Sequence, residues 1–200
     1  MDIGIRNANR DIDRELTKNI NIVYPAVAYV LWTGYGWRKL RITRFFEVSR
    51  EVWQECAEAG VEKSMLSMLE DETGIEIKMP GMKSFHEYAY LDADAWDRKA
   101  PTRQQILYIR QQQKKWIPAM LLANICIALK RREHWGPDSI STLVESIEEL
   151  RGMYGMDTKR YAKLLRDHTD FEENEIRRFA VNKHLAEECN GKNKWNRDNK

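Results

Sequence analysis

The stretch Tyr29–Trp53, YVLWTGYGWRKLRITRFFEVSREVW, decides how this chain folds. An apolar run enters it, Gly34 and Gly36 interrupt it among aromatic residues, and a segment with basic side chains at Arg38, Lys39, Arg41 and Arg44 leaves it. Glycine is the residue best suited to leave a helix in a left-handed conformation, so the stretch reads as helix, corner, helix. After the corner, Ile42, Phe45, Phe46, Ser49, Val52 and Trp53 share one helical face, which predicts an amphipathic helix from about Lys39 to Ala59. Trp37 is expected to plug the joint. The four basic residues avoid the apolar face and are expected to point to solvent.

Outward from the corner, Asp11 to Leu31 carries Ile12, Leu16, Ile20, Val23, Val27, Val30 and Leu31 close to helical spacing, with Pro25 expected to bend or restart the helix. A short helix is expected from Val61 to Asp71, closing at Gly74. Residues 75–98 break the pattern: IEIKM and EYAYL each alternate around PGMKSF, which predicts a small β-hairpin or an ordered loop. Arg103 to Arg132 reads as one long helix bent at Pro118 and holding the most buried segment. Asp138 or Ser139 is expected to cap a helix that aligns Ile140, Leu143, Val144, Ile147 and Leu150 and ends at Gly152 and Gly155. MDTKRYAKLLRDH and DFEENEIRRFAVNKHLAEE read as two more amphipathic helices, and the polar tail from Asn190 as frayed. The expected architecture is a mainly α helical bundle of one domain, residues 1–189, with a flexible tail at 190–200.

An internal echo runs through it. A shift of 98 residues lays Leu31 on Leu129, Trp37 on Trp135, Ile42 on Ile140, Glu47 on Glu145 and Glu51 on Glu149. Both copies read as apolar helix, aromatic-glycine corner and amphipathic helix, so two helix-corner-helix units packed pseudo-symmetrically are expected.

A chain of 200 residues is long enough to bury a large core as one domain. The net charge of +2 does not announce a nucleic-acid binder, so any basic site must be local. The candidate surface is Arg38, Lys39, Arg41 and Arg44, extended by Lys130, Arg131 and Arg132 at the equivalent end of the second unit; Lys114 and Lys115 lie further off. Arginine forks suit phosphate or carboxylate partners. The ordinary alternative is a solvated helix face. Cys56, Cys126 and Cys189 form no CxxC pair, which fits a reducing, cytoplasmic setting. The N-terminus has no signal-peptide core, and the longest apolar-dominated run, Trp116 to Leu129, falls short of the roughly 20 residues a membrane helix needs.

Chemistry is sparse. Asp71 with Glu76-x-Lys78 loosely echoes metal-dependent nucleases but lacks the sheet that site requires. Asp92, Asp94 and Asp97 lack the glycine and closing glutamate of a calcium loop. His86, His134, His168 and His184 form no HxxxH or HExxH pair, and no GxSxG or phosphate-cradling glycine loop occurs. A non-enzyme without metal or other cofactor is expected. Seven tryptophans and eight methionines leave room for a homo-oligomer.

The segments ELTKNINIVYPAVAYVLWTGYGWRKLRITRFFEVSREVWQE and QQQKKWIPAMLLANICIALKRREHWGPDSI resemble small helical accessory proteins of bacteriophages and prophages, over residues 9 to 140. That resemblance implies an accessory role such as blocking host defence. Among such proteins, anti-CRISPR inhibitors of type II effector nucleases are similar in size and in lacking enzymatic motifs. The implied partner is a host effector nuclease or its guide or target nucleic acid, reached through the basic face. Acidic segments, EDETGIE and DFEENE, are candidates for the opposite task of mimicking nucleic acid. A helix-turn-helix DNA-binding regulator is the alternative, with Arg38, Lys39, Arg41 and Arg44 as readers on a recognition helix.

Overall fold

Gly36 leaves its helix at φ 67°, and Trp37 N–H then reaches back to the carbonyl of Leu31 at 3.0 Å. His134, 98 residues on, stands at φ 55°, and Trp135 N–H reaches back to Leu129 at 3.1 Å. The same device, a left-handed residue followed by an indole whose amide serves a helix-end carbonyl, thus closes both long helices. The computed structural model describes residues 3–58, 65–77, 102–172 and 175. They form six helices: α1 Ile3–Tyr35, α2 Lys39–Glu58, α3 Met65–Thr73, α4 Arg103–Glu133, α5 Pro137–Tyr154 and α6 Thr158–His168. The protein is a mainly α helical bundle, and no strand occurs among the described residues.

α1 and α4 lie side by side and run in the same direction. Tyr35 and Trp37 meet Trp135 at one end, while Asn19, Ile22, Val23 and Ala26 share a cavity with Pro118 and Leu122 further along. α4 is the central element, with every residue from Leu121 to Leu129 buried. α2 and α3 pack chiefly on α4, and α5 and α6 chiefly on α1. Each half therefore covers the long helix of the other.

The contacts across the joint exchange between halves as a twofold relation requires. Arg41 of α2 meets Glu133 of α4 at 2.6 Å, and at the positions shifted by 98 the Tyr35 hydroxyl donates to the Ser139 carbonyl at 3.1 Å. Trp37 and Trp135 meet each other edge to face, 6.0 Å between ring centres. The third helices end alike as well. Thr73 Oγ1 donates to Leu69 O and accepts from Ile75 N–H, at 2.6 and 3.2 Å. Thr169 Oγ1 donates to Leu165 O and accepts from Phe171 N–H at the same two distances. The repeated unit is thus three helices rather than two, and its offset slips from 98 to 96 between the corner and the third helix.

Several expectations are corrected. Pro25 does not end α1, which runs unbroken to Tyr35. Burial of nearly every side chain from Asn19 to Leu31 outweighs the roughly 3 kcal/mol a mid-helix proline costs. α5 is capped by Gly136 with Pro137 at the first turn, so neither Asp138 nor Ser139 is the cap. Proline at that place gives up an amide that had no helical partner. Gly152 lies inside α5; Gly155, at φ 61°, closes it. Ile75–Ile77 follows α3 without regular secondary structure, and the rest of the expected hairpin (78–98), the helix expected over 170–188 beyond Phe171 and Glu172, and the 190–200 tail lie outside the described residues except for Glu175.

Three features of the core set its chemistry. Cys126 is wholly buried, and burial pushes its thiol from 9.0 up to about 12. Tyr24, stacked on Phe46 with ring centres 4.7 Å apart, has its pKa raised by burial, an effect opposed by a hydrogen bond with Ser49 and by nearby Arg50. Asn124, 1% exposed, donates its Nδ2 to the Ser49 carbonyl at 2.9 Å, which ties α4 to α2.

Candidate binding surface at the first corner

The phase read from the apolar residues of α2 holds: Ile42, Phe45, Phe46, Ser49 and Val52 are buried, while Arg38, Arg41 and Arg44 are exposed. The exposed cations are not equivalent. Lys39 Nζ bonds Glu175 at 2.6 Å and lies 3.5 Å from the Asp170 carbonyl oxygen. Arg41 pairs with Glu133 at 2.6 Å, with its guanidinium 3.9 Å over the Trp37 ring. Arg38 stacks 4.8 Å over the Trp32 ring. Arg131 forks onto Glu72, with contacts of 2.6 and 3.2 Å, and approaches Glu55 at 3.7 Å; Arg132 bonds Glu55. Among the described residues, Arg44 and Lys130 have no carboxylate partner.

Four of the seven expected contact residues, Lys39, Arg41, Arg131 and Arg132, are therefore engaged by carboxylates of this same chain. Arg131 and Arg132 belong to a clasp that joins α4 to α2 and α3. Exposed pairs of this kind contribute about 0.2–1 kcal/mol each, and the bidentate Arg131–Glu72 fork sits at the upper part of that range. Lys114 and Lys115 stand 16 and 15 residues before Lys130, roughly 24 Å along the helix axis at 1.5 Å per residue, and do not extend the patch.

What remains outward at the start of α2 is a smaller surface, Arg38 and Arg44 with the solvent side of Arg41. In its midst stands Leu40, 64% exposed, one helical turn from Arg44. Sequence reading passed over Leu40 because an isolated leucine off the buried face carries no pattern; its phase relative to Ile42 and Phe45 was the available signal. The first turn of α2 holds no acidic residue, and cations crowd its amide end, where the helix dipole favours negative charge. Glu175 and Glu133 offset Lys39 and Arg41 there, which leaves Arg38 and Arg44 to add to the positive potential of that end.

Among the described residues no group of three or more histidine, cysteine or carboxylate side chains is placed to hold a metal ion, and no helix is long and apolar enough to cross a membrane. Compared with known proteins, the chain matches no protein-family model, no curated protein and no solved structure.

Proposed function

We propose that this protein acts by binding a macromolecular partner through the start of α2, with Leu40 as the apolar anchor and Arg38 and Arg44 as the charged contacts. The observation that carries the reading is an exposed leucine ringed by cations at a helix amide end. Interfaces favour arginine beside a desolvated apolar side chain, and arginine forks recognise carboxylate or phosphate. The sequence resemblance to phage accessory proteins directs the proposal to a target: a nuclease of host defence in the host cytoplasm, of the CRISPR effector class, blocked by occupation of a surface without enzymatic turnover.

The test pairs purified protein with such an effector nuclease and measures cleavage against inhibitor ratio. Inhibition saturates near one inhibitor per nuclease, and Leu40→Glu and Arg44→Glu abolish it while helical circular dichroism is unchanged. Reversal at Arg41 is a poor test, because it breaks the Glu133 pair and the Trp37 stack. Sub-stoichiometric inhibition refutes occupation as the mechanism. Retardation of a specific DNA duplex that survives competitor DNA, with no effect on the nuclease, replaces this reading with a helix-turn-helix regulator.

A further inference from the structure

The twofold relation between the halves exposes a second surface. In the first half, the groove where α2 meets α3 is acidic and filled: Glu55 and Glu72 receive the guanidinium groups of Arg131 and Arg132 from α4. In the second half, the corresponding ends of α5 and α6 bound an open groove of about 340 Å³ lined by Met153, Tyr154, Arg160, Lys163, Leu164, Asp167 and His168. Met153 replaces Glu55 at an offset of 98, and His168 replaces Glu72 at an offset of 96. Both carboxylates are gone from the wall, and Arg160 and Lys163 replace Ser64 and Ser67 at the offset of 96.

The plug has gone too. The positions of α1 equivalent to Arg131 and Arg132 are Thr33 and Gly34, whose side chains are too short to reach across. Thr33 turns its hydroxyl back to the Tyr29 carbonyl of its own helix at 2.8 Å, and a Cβ placed on Gly34 would meet no atom within 4 Å. The space that arginine side chains occupy in one half is thus left uncovered by α1 in the other. Met153, at 63% exposure, is among the most exposed large apolar side chains of the described residues.

The charges facing the groove are accounted for from both elements. Arg160 has its Nε 3.4 Å from Asp157 Oδ2, and Asp167 lies 3.5 Å from Arg166, so each has a neighbouring countercharge outside the groove lining. Lys163 is exposed and has no carboxylate partner among the described residues. The His168 ring stands edge-on to Tyr29, 5.7 Å between centres, which fixes it at the groove end. Tyr154 is held edge-on to Tyr161 at 5.8 Å. The result is a rim that sets Arg160 and Lys163 against the single carboxylate of Asp167, with Met153, Tyr154 and Leu164 as its apolar lining.

We propose that this groove is a docking site for an acidic segment of a partner protein, a helix that presents glutamates next to an apolar side chain. The sister groove states what such an occupant looks like: consecutive charged side chains carried on a helix and paired with the opposite charge on the walls. With the two carboxylates lost and Arg160 and Lys163 added to the wall, the matching side chains are carboxylates, and the exposed Met153 supplies the contact that a simple anion would not use. Flexible methionine suits a surface that must adapt to its partner. The site lies on α5 and α6, and it does not depend on the reading of α2 given above.

The probe is a fluorescein-labelled synthetic helical peptide rich in glutamate, with leucines spaced four residues apart, titrated against the full-length protein and followed by anisotropy. Lys163→Glu and Met153→Glu each weaken binding about tenfold or more, which is about 1.4 kcal/mol. Gly34→Glu, which offers the groove a carboxylate from α1, competes with the peptide and weakens it likewise. All three positions are exposed, and unchanged melting temperatures establish that the fold is intact. Arg44→Glu leaves peptide binding unaltered, so failure of the α2 proposal and failure of this one are read separately. Binding that is indifferent to Lys163→Glu and Met153→Glu overturns the proposal. So does equal displacement by inorganic phosphate at matched ionic strength, which would make the groove a general anion site, and so does sedimentation showing a second copy of this chain seated there.

Discussion

The paired corners make opposite predictions for two single substitutions. His134 sits at φ 55°, in the region where a side chain's Cβ crowds the carbonyl oxygen, at a strain of about 1–2 kcal/mol. Its imidazole is exposed and makes no hydrogen bond or ion pair among the described residues, so removing it sacrifices nothing visible. His134→Gly relieves the strain but adds backbone freedom to the unfolded chain, which offsets up to about 1 kcal/mol. The net expectation is a stabilisation of about 0.5–1 kcal/mol. Gly36, at φ 67°, is the mirror case. An added Cβ would touch nothing within 4 Å, so the effect of Gly36→Ala is backbone strain less the same unfolded-chain entropy, a net loss of about 0.5–1 kcal/mol. For a chain of 200 residues, 1 kcal/mol moves the melting temperature by about 2–4 °C. Urea unfolding followed by tryptophan fluorescence, backed by thermal circular dichroism, should separate the two variants by about 1–2 kcal/mol with opposite signs. A destabilised His134→Gly protein, or a neutral Gly36→Ala, would refute the claim that both corners turn on a left-handed residue.

Three further outcomes are expected. Phe46→Ala removes a fully buried ring stacked on Tyr24 and should lower the unfolding free energy by about 3–5 kcal/mol; a change below 1 kcal/mol would mean the phase of α2 is wrong. Asn124→Ala loses the bond to the Ser49 carbonyl and should cost about 1–2 kcal/mol in urea unfolding, the low end for a buried amide, because the Asn124 Oδ1, which has no partner among the described residues, goes with it. The Cys126 thiol, raised from 9.0 to about 12, stays protonated in the folded state where the unfolded chain ionises. Its contribution is complete below pH 9 and is lost as pH rises through about 12, of the order of 4 kcal/mol at full extent. Cys126→Val should therefore flatten the alkaline fall in the urea midpoint above pH 9 relative to the parent, and equal slopes would contradict the burial of that thiol.

Much of this architecture is legible in local pattern. The face Ile42–Phe45–Phe46 announces the phase of α2, and the glycine after Tyr35 announces the corner, because both signals lie within a few residues of what they determine. Even the shift of 98 residues was readable, since Leu31, Trp37 and Ile42 recur as Leu129, Trp135 and Ile140. The third helices were themselves legible, but not their membership of the repeat, because the two-residue slip puts Thr73 and Thr169 out of register with that shift. The fate of the cations was illegible for a different reason. Arg41 finds Glu133, and Arg131 finds Glu72, across 92 and 59 residues, and no local rule says which exposed arginine meets a carboxylate brought in by another helix. Pro25 shows the converse, a strong local breaker overridden by burial on every side. The capping of α5 by Gly136 was within reach, as proline at a first helical turn is itself a start signal.

The crossed packing has a consequence for synthesis. Because α2 and α3 rest chiefly on α4, and α1 is covered chiefly by α4, α5 and α6, the first half leaves the ribosome with its apolar faces unmatched. At about 5–20 residues per second, the roughly 60 residues from the end of α3 to the end of α4 take about 3–12 seconds to appear. Through that interval the faces of α1, α2 and α3 that pack on α4 lack their partner. Final assembly waits for the arrival of α4.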